Sequence, residues 1–195
     1  GGAPLALVLV AVPIGVYVAR ESDYLFSIGP RELSRSLYGV NPFIEAVAIG
    51  KYIRERTAPD DRIAVLGSEP EIYFYADRKA ATGYIYTYAL MEPQPFAKSM
   101  QAEMIQEIER AHPRYLVFPW IDASWLAGPD SDQGILNWGS DYVDACYDTV
   151  GIADINPPNE TQMVWGGGAA EYAAGSSNLV YTFRRKSDAP CTMKK

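Results

Sequence analysis

Residues 3–19 (APLALVLVAVPIGVYVA) carry no charge, and the run stops abruptly at Arg20, Glu21 and Asp23. No polar position recurs within it to give an amphipathic face. A bilayer span takes about 20 apolar residues, so the run is slightly short for one. Pro13 and Gly15 would kink a helix in water, whereas membrane helices tolerate both. A secretory signal needs a basic leading region, and Gly1-Gly2 supplies none. Two readings remain. Residues 1–20 are the end of a membrane helix or a membrane anchor, or they are a buried strand or helix of a globular core. The unbroken apolar run favours the first, so a transmembrane helix is expected here.

Residues 21–40 read as a polar connector, and beyond them the pattern becomes periodic. Asn41-Pro42 has the form of a cap followed by proline at a first helical position. Ile44, Val47, Ala48, Tyr52 and Ile53 then recur at helical spacing as far as Thr57. After the turn at Ala58-Pro59-Asp60-Asp61, residues 62–67 (RIAVLG) are apolar on both faces, as in a parallel strand covered by helices. Ser68-Glu69-Pro70-Glu71 has the spacing of a capping box and opens a short helix to Asp77. Residues 80–88 (AATGYIYTY) alternate and predict a second strand or an extended loop.

Met100, Met104, Ile105, Ile108 and Ala111 mark an amphipathic helix that His112-Pro113 ends. Residues 114–119 (RYLVFP) predict a third strand. Ile135, Trp138, Tyr142 and Cys146 form one helical stripe, and residues 149–155 (TVGIADI) predict another strand. A Gly/Pro/Asn-rich excursion precedes residues 179–184 (LVYTFR), which alternate as an antiparallel edge strand. Strand and helix alternate through residues 41–186. The expected fold is therefore α/β, a three-layer sandwich with a mostly parallel sheet, followed by a tail over residues 187–195.

Composition narrows the partners. Seventeen Lys and Arg against 24 Asp and Glu give a net charge of −7, which excludes the basic face a nucleic acid requires. A dinucleotide-binding turn would place glycines after the first strand. Here two carboxylates, Glu69 and Glu71, stand where a phosphate would lie. Gly166-Gly167-Gly168 lacks a P-loop lysine and follows no evident strand, so it reads as a flexible loop. His112 is the sole histidine, which rules out a multi-histidine zinc site and a histidine-based triad. Cys146 reads as core material rather than as a nucleophile, and the sequence leaves open whether it bonds Cys191. No catalytic residue, metal site or cofactor is expected.

One cluster stands above this background. Tyr73, Tyr75, Tyr84, Tyr86, Tyr88 and Phe96 crowd together with Glu69, Glu71, Arg78 and Glu92. On a strand, Tyr84, Tyr86 and Tyr88 would face one way. They read either as a sheet face beneath a helix or as an aromatic platform for a sugar or a partner protein. On the second reading the candidate surface is Glu69, Arg78, Tyr84, Tyr86 and Tyr88.

The run YGVNPFIEAVAIGKYIRERTAPDDRIAVLGSEPEIYFYADRKAATGYIYTYALMEP, with MQAEMIQEIERAHPRYLVFPW and the closing SSNLVYTFRRK, carries a resemblance. Over roughly residues 34–186 it resembles the soluble C-terminal region of bacterial GT-C, family 39 (protein-mannosyltransferase-like) membrane glycosyltransferases. The resemblance implies a parent that moves sugar from a polyprenyl-phosphate donor outside the bacterial inner membrane. This chain would be its accessory periplasmic domain, with the membrane, other membrane-protein segments or subunits and the polyprenyl-phosphate sugar as partners. The family's catalytic acidic residues lie in an early extracytoplasmic loop that no part of this chain matches, so no carboxylate here inherits that role. The alternative is a single-span, membrane-anchored scaffolding or binding subunit of a larger membrane assembly.

Overall fold

A computed structural model describes residues 3–187 and Cys191. The chain divides into two compact units, Gly1–Gly39 and Val40–Lys195. In the first unit, α1 (Ala3–Arg20) precedes a π-helical turn at Asp23–Ser27 and α2 (Pro30–Tyr38), which starts on a proline as helices favour. The supposed connector is thus largely helical. Leu5, Leu7, Leu9 and Val10 of α1 are all more than half exposed, so α1 is no part of a buried core.

The transmembrane helix expected over residues 1–20 is not upheld. Among the described residues no helix is long and apolar enough to cross a membrane. The 18 residues of α1 include Pro13 and end on Arg20.

The second unit is mixed α/β. Its elements are α3 (Phe43–Arg54), β1 (Arg62–Val65), α4 (Pro70–Ala76), β2 (Lys79–Ala80), α5 (Tyr88–Met91), α6 (Ala97–Ala111), β3 (Tyr115–Trp120), α7 (Asp122–Trp125), α8 (Gly134–Cys146), β4 (Tyr147–Asp154), β5 (Gln162–Trp165) and β6 (Leu179–Arg185). They build one six-stranded sheet in the order β2-β1-β3-β6-β4-β5.

Strand alternation divides the core between the two faces. Ile63, Val65, Tyr115 and Val117 join Ile49 and Ile53 of α3 and Ile72 of α4 in one cluster. Ala64, Leu66, Leu116 and Phe118 join Met104 and Ile108 of α6 and Ile135 of α8 in the other. Gly50 lets α3 meet α4 at close range, because a Cβ there would lie 2.5 Å from the Cβ of Tyr75. His112 ends α6 in the left-handed conformation (φ 48°), its N–H bonding Ile108 O at 3.1 Å. At the end of α8, Cys146 is bonded to Cys191, with the two Cα atoms 5.7 Å apart.

Two expectations about the sheet need correction. It is mixed rather than mostly parallel, for β1 pairs parallel with β2 and β3 while β3–β6, β4–β6 and β4–β5 are antiparallel. β6 is antiparallel as expected but lies inside the sheet, with Leu179, Val180, Thr182 and Phe183 buried across both of its faces. The antiparallel edge is β5, whose short sequence QMVW precedes the glycine run; that run forms a 3-10 turn at Gly166–Ala169. Residues 80–88 contribute only Ala80 to a strand and otherwise take the second of the two forms expected for them, a loop that runs into α5.

Candidate functional site

Because β2, β1 and β3 are parallel, the segments that follow them gather at one edge of the sheet. The chain leaves β1 into α4, whose Ile72 and Tyr73 pack on one face. It leaves the neighbouring β3 through α7 and α8, whose Trp125 and Ile135 pack on the other. Two adjacent strands whose continuations diverge to opposite faces open a crevice at their carboxyl ends, where α/β sheets place ligands.

Hydrogen bonds lace the three segments together. The Thr87 hydroxyl donates to Ser124 O at 3.3 Å and so accepts from the Ser68 hydroxyl at 3.0 Å. Ser68 Oγ in turn accepts the Thr87 N–H at 3.0 Å. The Tyr88 hydroxyl donates to Ala123 O at 2.9 Å. Ser68 is therefore a tie between loops rather than the expected N-cap; Glu69 holds the cap position of α4 and makes no side-chain cap bond.

Glu69 is 3% exposed, and its carboxyl folds back over Gly67, where an added Cβ would collide with Oε2. That oxygen has no hydrogen-bond partner. Burial pushes the carboxyl up to about 8; the Ser124 hydroxyl opposes the shift and the neighbouring Glu71 charge adds to it. No well-formed hydrogen bond joins Ser124 to Glu69, since Ser124 Oγ is also without a partner. Burial likewise raises Glu71.

Tyr86 is 51% exposed and meets Tyr88 edge to face, with centroids 4.8 Å apart. Burial raises the Tyr88 hydroxyl, helped by Tyr86 and by the charges of Glu69 and Glu71, and the Ser68–Thr87 hydrogen bonds bring the segments carrying Glu69 and Tyr88 together.

Of the residues singled out in the sequence, the fold therefore assembles Glu69, Tyr86 and Tyr88. Tyr84 turns away: its hydroxyl donates to Glu103 Oε2 of α6 at 2.6 Å, and that bond holds it up near 12. Arg78 precedes β2 and so lies at the opposite edge. There it donates to the carbonyls of Arg54, Thr57, Ala76 and Asp77, fastening the end of α3. The shared direction of Tyr84, Tyr86 and Tyr88 is lost because no strand carries them.

Sequence reasoning missed the segment after β3. Trp120, half exposed, together with Asp122, Trp125 and Gln133, borders a cavity of about 230 Å³. The signal was present in PWIDASW, which directly follows a strand that the sequence does announce. Neither cysteine can serve as a nucleophile, both being in the disulfide, and His112 is used as a helix end. Among the described residues no group of three or more His, Cys, Asp or Glu is arranged to hold a metal ion. No family model, curated protein or solved structure matches this chain.

Proposed function

We propose that this chain is an accessory, non-catalytic domain of a bacterial membrane glycosyltransferase that uses a polyprenyl-phosphate sugar, on the extracytoplasmic side of the inner membrane. The observation that carries the reading is the carboxyl edge. It groups the exposed Tyr86 and its partner Tyr88 with the Glu69 and Glu71 carboxyl groups, an aromatic face beside acids. The resemblance over residues 34–186 supports the parentage. The Cys146–Cys191 disulfide supports the compartment, because such bonds persist where the surroundings oxidise. A scaffolding subunit of a membrane assembly is the second reading, favoured by Phe74, which is 80% exposed beside Tyr75.

The test is Tyr86→Ala in the full-length protein, reading sugar transfer from a polyprenyl-phosphate donor in membranes. Transfer should fall by about tenfold or more, while the 195-residue chain stays within roughly 1 kcal/mol of its original stability, as for other exposed side chains. Unchanged transfer by the variant would overturn the reading.

A further inference from the structure

The cavity at the end of β3 has the chemistry of a site for a single neutral sugar ring. Trp120 is the last residue of β3 and is 50% exposed. Its ring stands edge to face on the buried Phe118, centroids 5.4 Å apart, so the indole is held in place. Trp125 closes the cavity from within, its indole N–H committed to Pro119 O at 3.1 Å. Ile121 and Leu136 complete the apolar lining.

Two polar groups border this apolar floor. The Asp122 carboxylate is exposed and makes no hydrogen bond or ion pair with the described residues. The Gln133 amide spends its nitrogen on Ser131 O at 3.3 Å, which leaves its oxygen as an acceptor. A flat aromatic face beside two acceptors suits a pyranose, whose C–H face is apolar and whose rim carries hydroxyl donors.

Size and charge narrow the ligand further. The cavity measures about 230 Å³. At about 30 Å³ per water this is the space of roughly eight waters, enough for one ring and below the roughly 300 Å³ at which drug-sized pockets begin. The lining carries one carboxylate and no cation, in a chain of net charge −7, so it repels a phosphate.

We infer that Trp120, Asp122 and Gln133 form a binding site for one neutral pyranose ring, distinct from the Tyr86–Tyr88 pair. The inference deepens the proposed function by naming the part of the substrate that the domain meets: the sugar or glycan acceptor rather than the polyprenyl phosphate.

The test is titration of the 195-residue chain with methyl glycosides of neutral hexoses, and separately with glucose 1-phosphate, following the backbone amide shifts of residues 120–136. A saturable shift with at least one neutral glycoside is expected. Trp120→Ala and Asp122→Asn should each weaken it by about tenfold or more, the thermal midpoint of Asp122→Asn staying unchanged as expected for an exposed side chain. Absence of a saturable shift with every neutral glycoside, equal binding by Trp120→Ala, or tighter binding of the sugar phosphate would each overturn the site. Because transfer by the Tyr86→Ala parent is read in a separate assay, failure here and failure of the proposed function are distinguishable.

Discussion

Glu69 at the end of the parallel half of the sheet and Asp154 at the end of β4 both touch little solvent, at 3% and 2% exposure. They titrate in opposite directions. Burial raises both. At Asp154 it is outweighed by Ser176, by the Gly175 N–H at 2.6 Å and by the Tyr172 hydroxyl at 3.0 Å, and the carboxyl ends below its ordinary range. Glu69 has no such set of donors and ends near 8. Depth and aimed donors together set the charge of a covered acid: Glu69 lies deep and short of donors, whereas Asp154 lies shallower and is supplied with them. The antiparallel half uses its acid to tie down the loop before β6. Each acid keeps one buried oxygen without a partner, Oδ1 of Asp154 and Oε2 of Glu69, and only Glu69 lies at the edge where a ligand would sit.

The largest effect that would sharpen this contrast is at the antiparallel end. Cys146 and Cys191 are 45 residues apart in sequence, so the bond closes a long loop. Cys191→Ser should lower unfolding stability by about 2–4 kcal/mol, read as a shift of the urea midpoint. An unshifted midpoint would mean that this end is held by packing alone.

Next comes Glu69→Gln. The Glu69 carboxyl ionises near 4.5 when unfolded and near 8 in the fold. Between those values the folded chain holds a proton that the unfolded chain has lost. Stability contributed by this group is complete below about pH 4.5 and declines as pH rises towards 8, by up to about 1.4 kcal/mol per pH unit. Glu69→Gln should remove that decline and leave the variant about 2–4 kcal/mol more stable than the parent at pH 8 relative to pH 5. Parallel stability curves for the two proteins across this window would break the contrast at its centre.

Asp154→Asn should act with the opposite sign and a smaller size. It weakens the bonds from Gly175 and Tyr172 and should cost about 1–3 kcal/mol at pH 7. Because the folded pKa is lowered, the stability that Asp154 contributes is present above its ordinary range, near 3.8, and is lost as pH falls below it. The gap between variant and parent should therefore narrow in acid, measured by urea unfolding at pH 3 and pH 7.

The sequence announces local elements more readily than it announces neighbours. Met104 and Ile108 at helical spacing, stopped by His112-Pro113, define α6 because periodicity and caps are properties of one segment. The apolar runs of β1 and β3 are equally plain. That β6 inserts between β3 and β4 depends on partners far away in sequence, and its alternation looks the same at an edge or in the middle. The alternation of Tyr84, Tyr86 and Tyr88 misleads for a related reason. Thr82 and Tyr84 bond side chains of α6, and Thr87 bonds Ser68, so local ties replace a strand ladder. Glu69 is legible as an acid at a turn. Its lack of donors is a fact of tertiary packing.

Of the six strands, β6 is made last and belongs in the middle. Synthesis delivers the chain from its N-terminal end, so the β2-β1-β3 half and the β4–β5 hairpin emerge first. Until Leu179–Arg185 arrives, β3 and β4 each present an open row of backbone donors and acceptors, the kind of edge on which chains aggregate. A nascent chain paused before residue 179 thus lacks the strand that pairs with both β3 and β4. In the cell, this domain depends on the seven residues of Leu179–Arg185 to close its sheet.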